Sequence, residues 1–363
     1  MAAHDLALQH LIDQVRAARA ARTPLAITGG STKAFYGEPA RGQTLDVRPL
    51  AGISAYEPTE LVVTVRAGTP LAELEAVLAE AGQCLPFEPP RFAPGGTVGG
   101  MVAAGLAGPA RPAVGSVRDY VLGATLLNGR AELMSFGGTV MKNVAGYDVS
   151  RLVAGSLGVL GVLCEVSLKV LPVPAAELTL RFEWAEAKAL AELQRWGAQP
   201  LPIGASAWWS GMLVLRLAGA RAAVDSARQR LGGEPIDDTV ARGFWTGLRD
   251  HTDEFFQAAH QAVGSGATLW RLSLPPATPV IELPGEHLVE WGGAQRWVVT
   301  SASAATMRAL ATQAGGHATA FAGPKTGGVF HPLPPAEARI QRAVKAAFDP
   351  DGVFNPGRLY PDW

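Results

Sequence analysis

The stretch that decides the fold reads RFAPGGTVGGMVAAGLAG (91–108), then GSVRDYVLGATLLNG (115–129), then MKNVAGYDVSRLVAGSLGVLGVLCEVSLKVL (141–171). It is dense in glycine, poor in acid, and flanked by strand-like apolar runs. Glycine costs backbone entropy on folding, so a folded chain keeps this many only where it turns tightly or approaches something closely. Glycine-rich backbone also lets N–H groups converge on an anion such as a diphosphate. The stretch therefore points to a large anionic ligand.

Outward from there, residues 4–21 read as an amphipathic helix with Leu8, Leu11, Ile12 and Val15 on one face. LAIT (25–28) is a strand, and it leaves through the glycine loop GGSTKAFYG (29–37). TLDVRPL (44–50) and LVVTVRAG (61–68) are further strands. Thr69-Pro70 predicts a helix start by N-cap and N1 logic, and Gly82 its end. Residues 95–105 read as a second glycine loop. The segment 162–171 alternates, with Cys164, Val166, Leu168 and Val170 on one face and Glu165, Ser167 and Lys169 on the other, which predicts a half-buried strand. Pro172 and Pro174 mark a boundary. Beyond it lie most of the tryptophans, and strands such as MLVLRLAG (212–219) and RWVVTSA (296–302) alternate with alanine-rich helices. That texture predicts an α+β domain with an antiparallel sheet. The expected division is 1–172, 173–335 and a C-terminal helix and tail, 336–363, that returns to the first domain.

Composition narrows the function classes. The chain has 363 residues, 48% hydrophobic and 17% charged, with net charge −1. That excludes disorder and gives no electrostatic reason to bind nucleic acid. Two cysteines, Cys84 and Cys164, without a CxxC pair, read as buried thiols in a reducing compartment and cannot ligate an iron–sulfur cluster alone. The N-terminus carries acids and reads as no signal peptide, and no run of about 18 apolar residues is present. The expected location is the cytoplasm, or the cytoplasmic face of an inner-membrane complex reached through partners. No metal site is expected.

Two nucleotide motifs fail. A Rossmann fingerprint needs G-x-G-x-x-G between strand and helix with an acid about 20 residues on. GGTVGG (95–100) lacks that spacing, and AGSLGVLG (154–161) runs into a strand. GPKTGG (323–328) only resembles a Walker A loop. Two separate glycine loops, 29–37 and 95–105, must then close on one ligand, and Gly30 and Gly96 are expected to stay small.

In that arrangement residues 20–175 resemble the FAD-binding domain of the vanillyl-alcohol-oxidase/p-cresol-methylhydroxylase superfamily. ITGGSTK (27–33), PGGTVGGMVAAG (94–105), KNVAGYDVSRLVAGSLGVLGVLCEVSLKVLP (142–172) and AFDPDGVFNPGRLY (347–360) carry the likeness. FEPPRF (87–92), GLAGPARPAVGSVRDYVLG (105–123) and VFHPLPP (329–335) bring the chain closer to the FAD-binding subunits of bacterial glycolate oxidases. The resemblance implies an α+β fold: a two-part FAD-binding domain plus an α+β cap. It implies that Thr28, Gly29, Gly30, Ser31, Thr32 and Lys33 hold the diphosphate, met by Pro94, Gly95, Gly96, Thr97, Gly99, Gly100 and Gly105. Ser116 and Asp119 fall in the matching GSVRD turn, and Gly158, Gly161 and Val162 border the ribityl and adenine region.

Departures from the family pattern shape the function. Ser31 and Thr32 stand where many members attach flavin to histidine, so the FAD is expected to be noncovalent. The histidine-rich H-x-G-D-G-N-x-x-H-type motif of hydroxy-acid-oxidising relatives is missing; His251, His260, His287, His317 and His331 are scattered. Leu157 and Val159 replace residues that are polar in many relatives. The resemblance thus implies a subunit that relays electrons in a glycolate oxidase complex, with a sister flavoprotein subunit for the hydroxy-acid chemistry and an iron–sulfur subunit as acceptor. A self-sufficient hydroxy-acid dehydrogenase and a cofactor-free scaffold are the alternatives. Arg271 and His331 are the candidate groups at the catalytic face: an arginine to stabilise an anion, a histidine to titrate near neutral pH.

Overall fold

The computed structural model describes residues 5–139 and 148–363. Two compact units emerge: Met1–Leu106, Ser116–Pro172 and Pro332–Trp363 form one, and Ala107–Gly115 with Val173–His331 form the other.

The first unit begins with α1 (Leu6–Ala21), capped by the Asp5 side chain on Leu8 N. Then come β1 (Leu25–Thr28), β2 (Gln43–Asp46), β3 (Ile53–Glu57), β4 (Val62–Arg66), α2 (Leu71–Glu80), β5 (Gln83–Cys84) and α3 (Val98–Ala104). After α4 (Arg111–Val114), which belongs to the second unit, the chain returns as α5 (Val117–Tyr120), β6 (Val121–Leu127), β7 (Leu133–Gly137), α6 (Val149–Leu152), β8 (Val162–Lys169) and β9 (Leu171–Pro172). An antiparallel sheet runs in the order β3-β4-β8-β6-β7. β1 and β2 pair in parallel, and Phe354 extends that ribbon beside Leu25. Leu11 and Val15 of α1 bury against Leu25, Leu45, Leu127, Val162 and Phe354. The period-3.6 stripe read in the sequence is thus the face that anchors β1.

Three local expectations are corrected. Thr69 does not cap α2: its hydroxyl donates to Arg66 O (2.7 Å) and accepts from Gly52 N (2.9 Å), and Pro70 takes the cap position with no side-chain bond. Residues 98–104 are helix rather than loop, because Thr97 Oγ1 accepts from Gly100 N (3.2 Å) and starts a turn. β8 is not half-buried. It is the central strand, so Leu163 and Ser167 on its second face are covered too, and Ser167 bonds Thr64 across the sheet at 2.9 Å.

The second unit holds β10 (Ala176–Glu183), α7 (Glu186–Gly197), β11 (Ile203–Trp209), β12 (Met212–Gly219), α8 (Arg221–Leu231), β13 (Glu234–Pro235), α9 (Asp238–Asp250), α10 (Glu254–Gly264), β14 (Thr268–Ser273), β15 (Glu286–Glu290), β16 (Gln295–Thr300), α11 (Ala304–Gln313) and β17 (His317–Ala322). All eight strands join one antiparallel sheet, β13-β10-β12-β11-β15-β16-β14-β17. One core lies under α7 and α8 and another under α11. Residues 107–115 lie here and not with their sequence neighbours, because Trp291 Nε1 donates to Gly108 O (3.2 Å) and the Arg111 guanidinium sits 4.4 Å over the Trp291 ring. The last helix, α12 (Pro335–Phe348), and the tail return to the first unit.

Candidate cofactor site

β1 delivers the loop Thr28–Lys33, and its outgoing direction is fixed by pairing with β2 on one side and the tail on the other. The second glycine segment is tied down by backbone bonds: Leu71 N to Gly96 O (2.8 Å), Val98 N to Thr69 O (2.9 Å) and Gly99 N to Ala67 O (2.7 Å). These hold it against the end of β4, where a Cβ on Gly99 would lie 2.7 Å from that of Ala67.

The two glycine segments touch through backbone. A Cβ on Gly30 would fall 1.6 Å from Gly95 O, and one on Gly29 would fall 2.4 Å from Thr97 Oγ1. Only glycine at position 30 permits this crossing. Beside it opens a cleft of about 700 Å³, counting the open solvent at its mouth. Thr28, Gly29, Gly30, Ser31, Thr32, Lys33, Thr97 and Gly100 line it, with Ile27, Ala103, Ala104 and Leu157 as an apolar wall. The lining carries two cations, Lys33 and Arg358, and no carboxylate. A cradle that a Cβ would fill, bordered by glycine backbone and Lys33, with the Arg358 guanidinium behind it bonded to carbonyls of the first loop, fits a diphosphate-bearing group.

The other sequence-predicted residues distribute unevenly. Pro94, Gly95, Gly96 and Gly99 belong to the second segment but do not line the cleft. Gly105 (φ +64) is the C-cap of α3. Gly158 (φ +74) backs onto Asn355, where its Cβ would meet Nδ2 at 2.7 Å, and Gly161 and Val162 lead into β8 beside Leu127. Ser116 and Asp119 bond each other: Asp119 Oδ2 accepts from Ser116 N (2.7 Å) and Oγ (3.0 Å), which caps α5. Lys142 to Tyr147 of the quoted motif lie outside the described residues. Arg271 and His331 are in the second unit. Arg271, on β14 opposite Trp297 and Thr319, places its guanidinium 5.7 Å from the Phe321 ring centre. His331 Nδ1 accepts from Ala318 N (3.3 Å), and its Nε2 lies 3.4 Å from Thr312 Oγ1. Burial first, then Arg308, holds the His331 pKa below the ordinary histidine value.

Sequence reasoning missed Asn355 and Arg358 as lining residues. Both are buried, and both stand in the NPGR run that was matched only as a closing motif. Among the described residues no group of three or more His, Cys, Asp or Glu is placed to hold a metal ion, and no helix is long and apolar enough to cross a membrane.

A family model described as an FAD binding domain matches residues 7–137. Over 98% of its length the chain is 49% identical to the glycolate oxidase subunit GlcE of Escherichia coli (strain K12), covering 97% of that protein. A D-lactate dehydrogenase of Anaerostipes hadrus is 33% identical over 38% of this chain and 29% of its own. A solved structure of alkyldihydroxyacetonephosphate synthase matches 96% of this chain and 75% of its own with a TM-score of 0.62 at 14% identity, a likeness of fold alone. Full-length identity of this order, added to the crossed glycine loops, means that the chain belongs to the GlcE family of glycolate oxidase subunits and is an FAD-binding oxidoreductase subunit.

Proposed function

We propose that this chain is the noncovalent FAD-binding subunit of a glycolate oxidase complex, and that it relays electrons from 2-hydroxy-acid oxidation towards an iron–sulfur partner subunit. A sister flavoprotein subunit carries the hydroxy-acid chemistry. The observation that carries this reading is the crossing of Gly30 over Gly95 beside a cleft with two cations and no carboxylate. Thr28–Lys33 and Pro94–Gly100 hold the diphosphate, and the 158–162 turn borders the ribityl and adenine region. Bound FAD supplies the redox chemistry; the chain supplies binding, orientation and electrostatics. Neither glycine segment contains a histidine or cysteine, so no imidazole or thiol there is available to bond the flavin. Attachment to any membrane runs through the partners.

Arg271, on β14, and His331, whose ring nitrogens are engaged within its own unit, remain the two catalytic candidates. Arg271→Met in the assembled complex is expected to lower glycolate-dependent electron transfer about tenfold, equivalent to about 1.4 kcal/mol of barrier. Wild-type turnover and flavin potential in that variant would remove Arg271 from the mechanism. The deciding experiment for the whole reading is anaerobic spectroscopy of the purified chain. A yellow flavin spectrum that glycolate bleaches only after the partner subunits are added is expected. Bleaching by glycolate in the isolated chain would make it a self-sufficient dehydrogenase, and a chain that takes up no FAD would make it a scaffold.

A further inference from the structure

We propose that the C-terminal tail positions the cofactor cleft, with Asn355 as the positioning residue that sets the spacing between the two glycine segments; this rests on the reading that the cleft holds FAD. Asn355 is 4% exposed and has a left-handed backbone, φ +43. Its Oδ1 accepts from Ile27 N at 2.9 Å, one residue before the first glycine loop begins. Its Nδ2 donates to Leu157 O at 2.7 Å. Leu157 N in turn donates to Ala103 O at 2.9 Å, in the helix that the second glycine segment opens. One side-chain amide thus completes a continuous path from β1 through the tail and the 155–161 turn to α3. All four residues on that path line the cleft.

The chemistry is specific. The short planar amide presents an acceptor and a donor side by side, and the partners fix which end is which. Asparagine is also among the few residues other than glycine that adopt left-handed backbone readily. Two neighbours reinforce the path. Lys345 Nζ donates to Val159 O (2.7 Å) and Phe354 O (2.9 Å), which holds the turn to the tail. Arg358 donates to Ala34 O (2.9 Å), Tyr36 O (2.7 Å) and Glu38 O, gripping the far end of the first loop.

The test is FAD titration of the apoprotein by flavin fluorescence, with visible circular dichroism of the bound flavin. Asn355→Gly keeps the backbone conformation and deletes both amide bonds. Asn355→Asp is isosteric, keeps the acceptor for Ile27 N and turns a carboxylate on Leu157 O. Both are expected to raise the Kd for FAD at least tenfold and to change the flavin dichroism. Val15→Ala, in the buried face of α1 and outside the cleft lining, should lower the melting temperature and leave the Kd within twofold. A Kd within twofold of wild type in both Asn355 variants, or an equal loss in Val15→Ala, overturns the proposal. Gly30→Ala run alongside separates the two levels. If it weakens FAD while the Asn355 variants do not, only the role of Asn355 fails. If none weakens FAD, the assignment of the cleft fails as well.

Discussion

Gly30→Ala is the sharpest single perturbation of this fold. The added Cβ would sit 1.6 Å from Gly95 O, against an ordinary carbon–oxygen contact of about 3.3 Å, so the two glycine segments must part by about 1.7 Å. The obstacle is backbone carbonyl rather than the end of a flexible side chain, and that carbonyl belongs to a segment tied to α2 and β4. Overpacking of this kind costs about 1–3 kcal/mol in the apoprotein. The larger effect is on the ligand. FAD at 100 times its Kd stabilises by about 2.7 kcal/mol, worth about 5–10 °C of melting temperature at about 2–4 °C per kcal/mol. Gly30→Ala should lose most of that shift. Gly96→Ala and Gly138→Ala are the internal controls. The sequence reading treats Gly30 and Gly96 alike, but a Cβ on Gly96 meets the Thr32 side chain, its hydroxyl at 3.3 Å and its methyl at 3.9 Å, and one on Gly138 meets nothing within 4 Å. Both should melt within about 1–2 °C of wild type without FAD. Melting curves with and without FAD, alongside a fluorescence titration, read all three. A Gly30→Ala protein with wild-type melting temperature and FAD affinity would refute the crossing of the loops as the determinant of binding.

Acid precipitation of the purified holoprotein should leave all flavin in the supernatant, because Ser31 and Thr32 stand at the attachment position; flavin fluorescence migrating with the denatured chain would contradict this. His251 is stacked on Phe256 at 3.6 Å, and its pKa is held well below 6.5 by burial first, then by His260 and Arg271. Below pH 6.5 the unfolded chain therefore takes up a proton that the native chain refuses, and stability falls with acid. His251→Phe should remove roughly 1 kcal/mol of the loss in urea-melt stability between pH 7 and 5.5, and an unchanged pH slope in that variant would count against a neutral buried imidazole. Burial pushes the Cys164 thiol up to about 12, so a thiol reagent at pH 8 should label only Cys84 until urea is added; two rapid equivalents in the native protein would show the β8 core to be open.

Much of this was legible in the sequence because the physics was local. LAIT became β1 residue for residue, and the apolar stripe of α1 became its buried face. The tryptophan-rich half became one antiparallel sheet. The failures came where a distant partner decided the outcome. The Thr69 hydroxyl had two possible employments, and the fold brought Gly52 to it. β8 alternates as a half-buried strand should, yet two neighbouring strands and a covered second face put Ser167 in the interior. Residues 107–115 joined the second unit through Trp291, more than 170 positions away.

The glycines show why motif reading locates a site more easily than it resolves one. A run of them announces close approach, but not what approaches. At Gly30 the neighbour is the other loop, beside a cleft. At Gly99 it is Ala67, at Gly161 it is Leu127 O, and at Gly158 it is the Asn355 amide. The first brings the two glycine segments together beside the cleft. The next two are packing requirements of the sheet. At Gly158 the missing side chain also leaves clearance for the tail, where Asn355 bonds Ile27 and Leu157 together. Asn355 could not be read from the sequence as a lining residue, because its two bonds go to backbone groups, at 27 and 157, that only the folded chain brings within one side chain's span. The same holds for Arg358, whose carbonyl partners lie over 300 positions upstream. A cleft whose walls come from the first 40 residues, the middle and the last 10 is assembled only when the tail docks, so the affinity of the site for its cofactor should track the integrity of the tail as closely as that of the glycine loops.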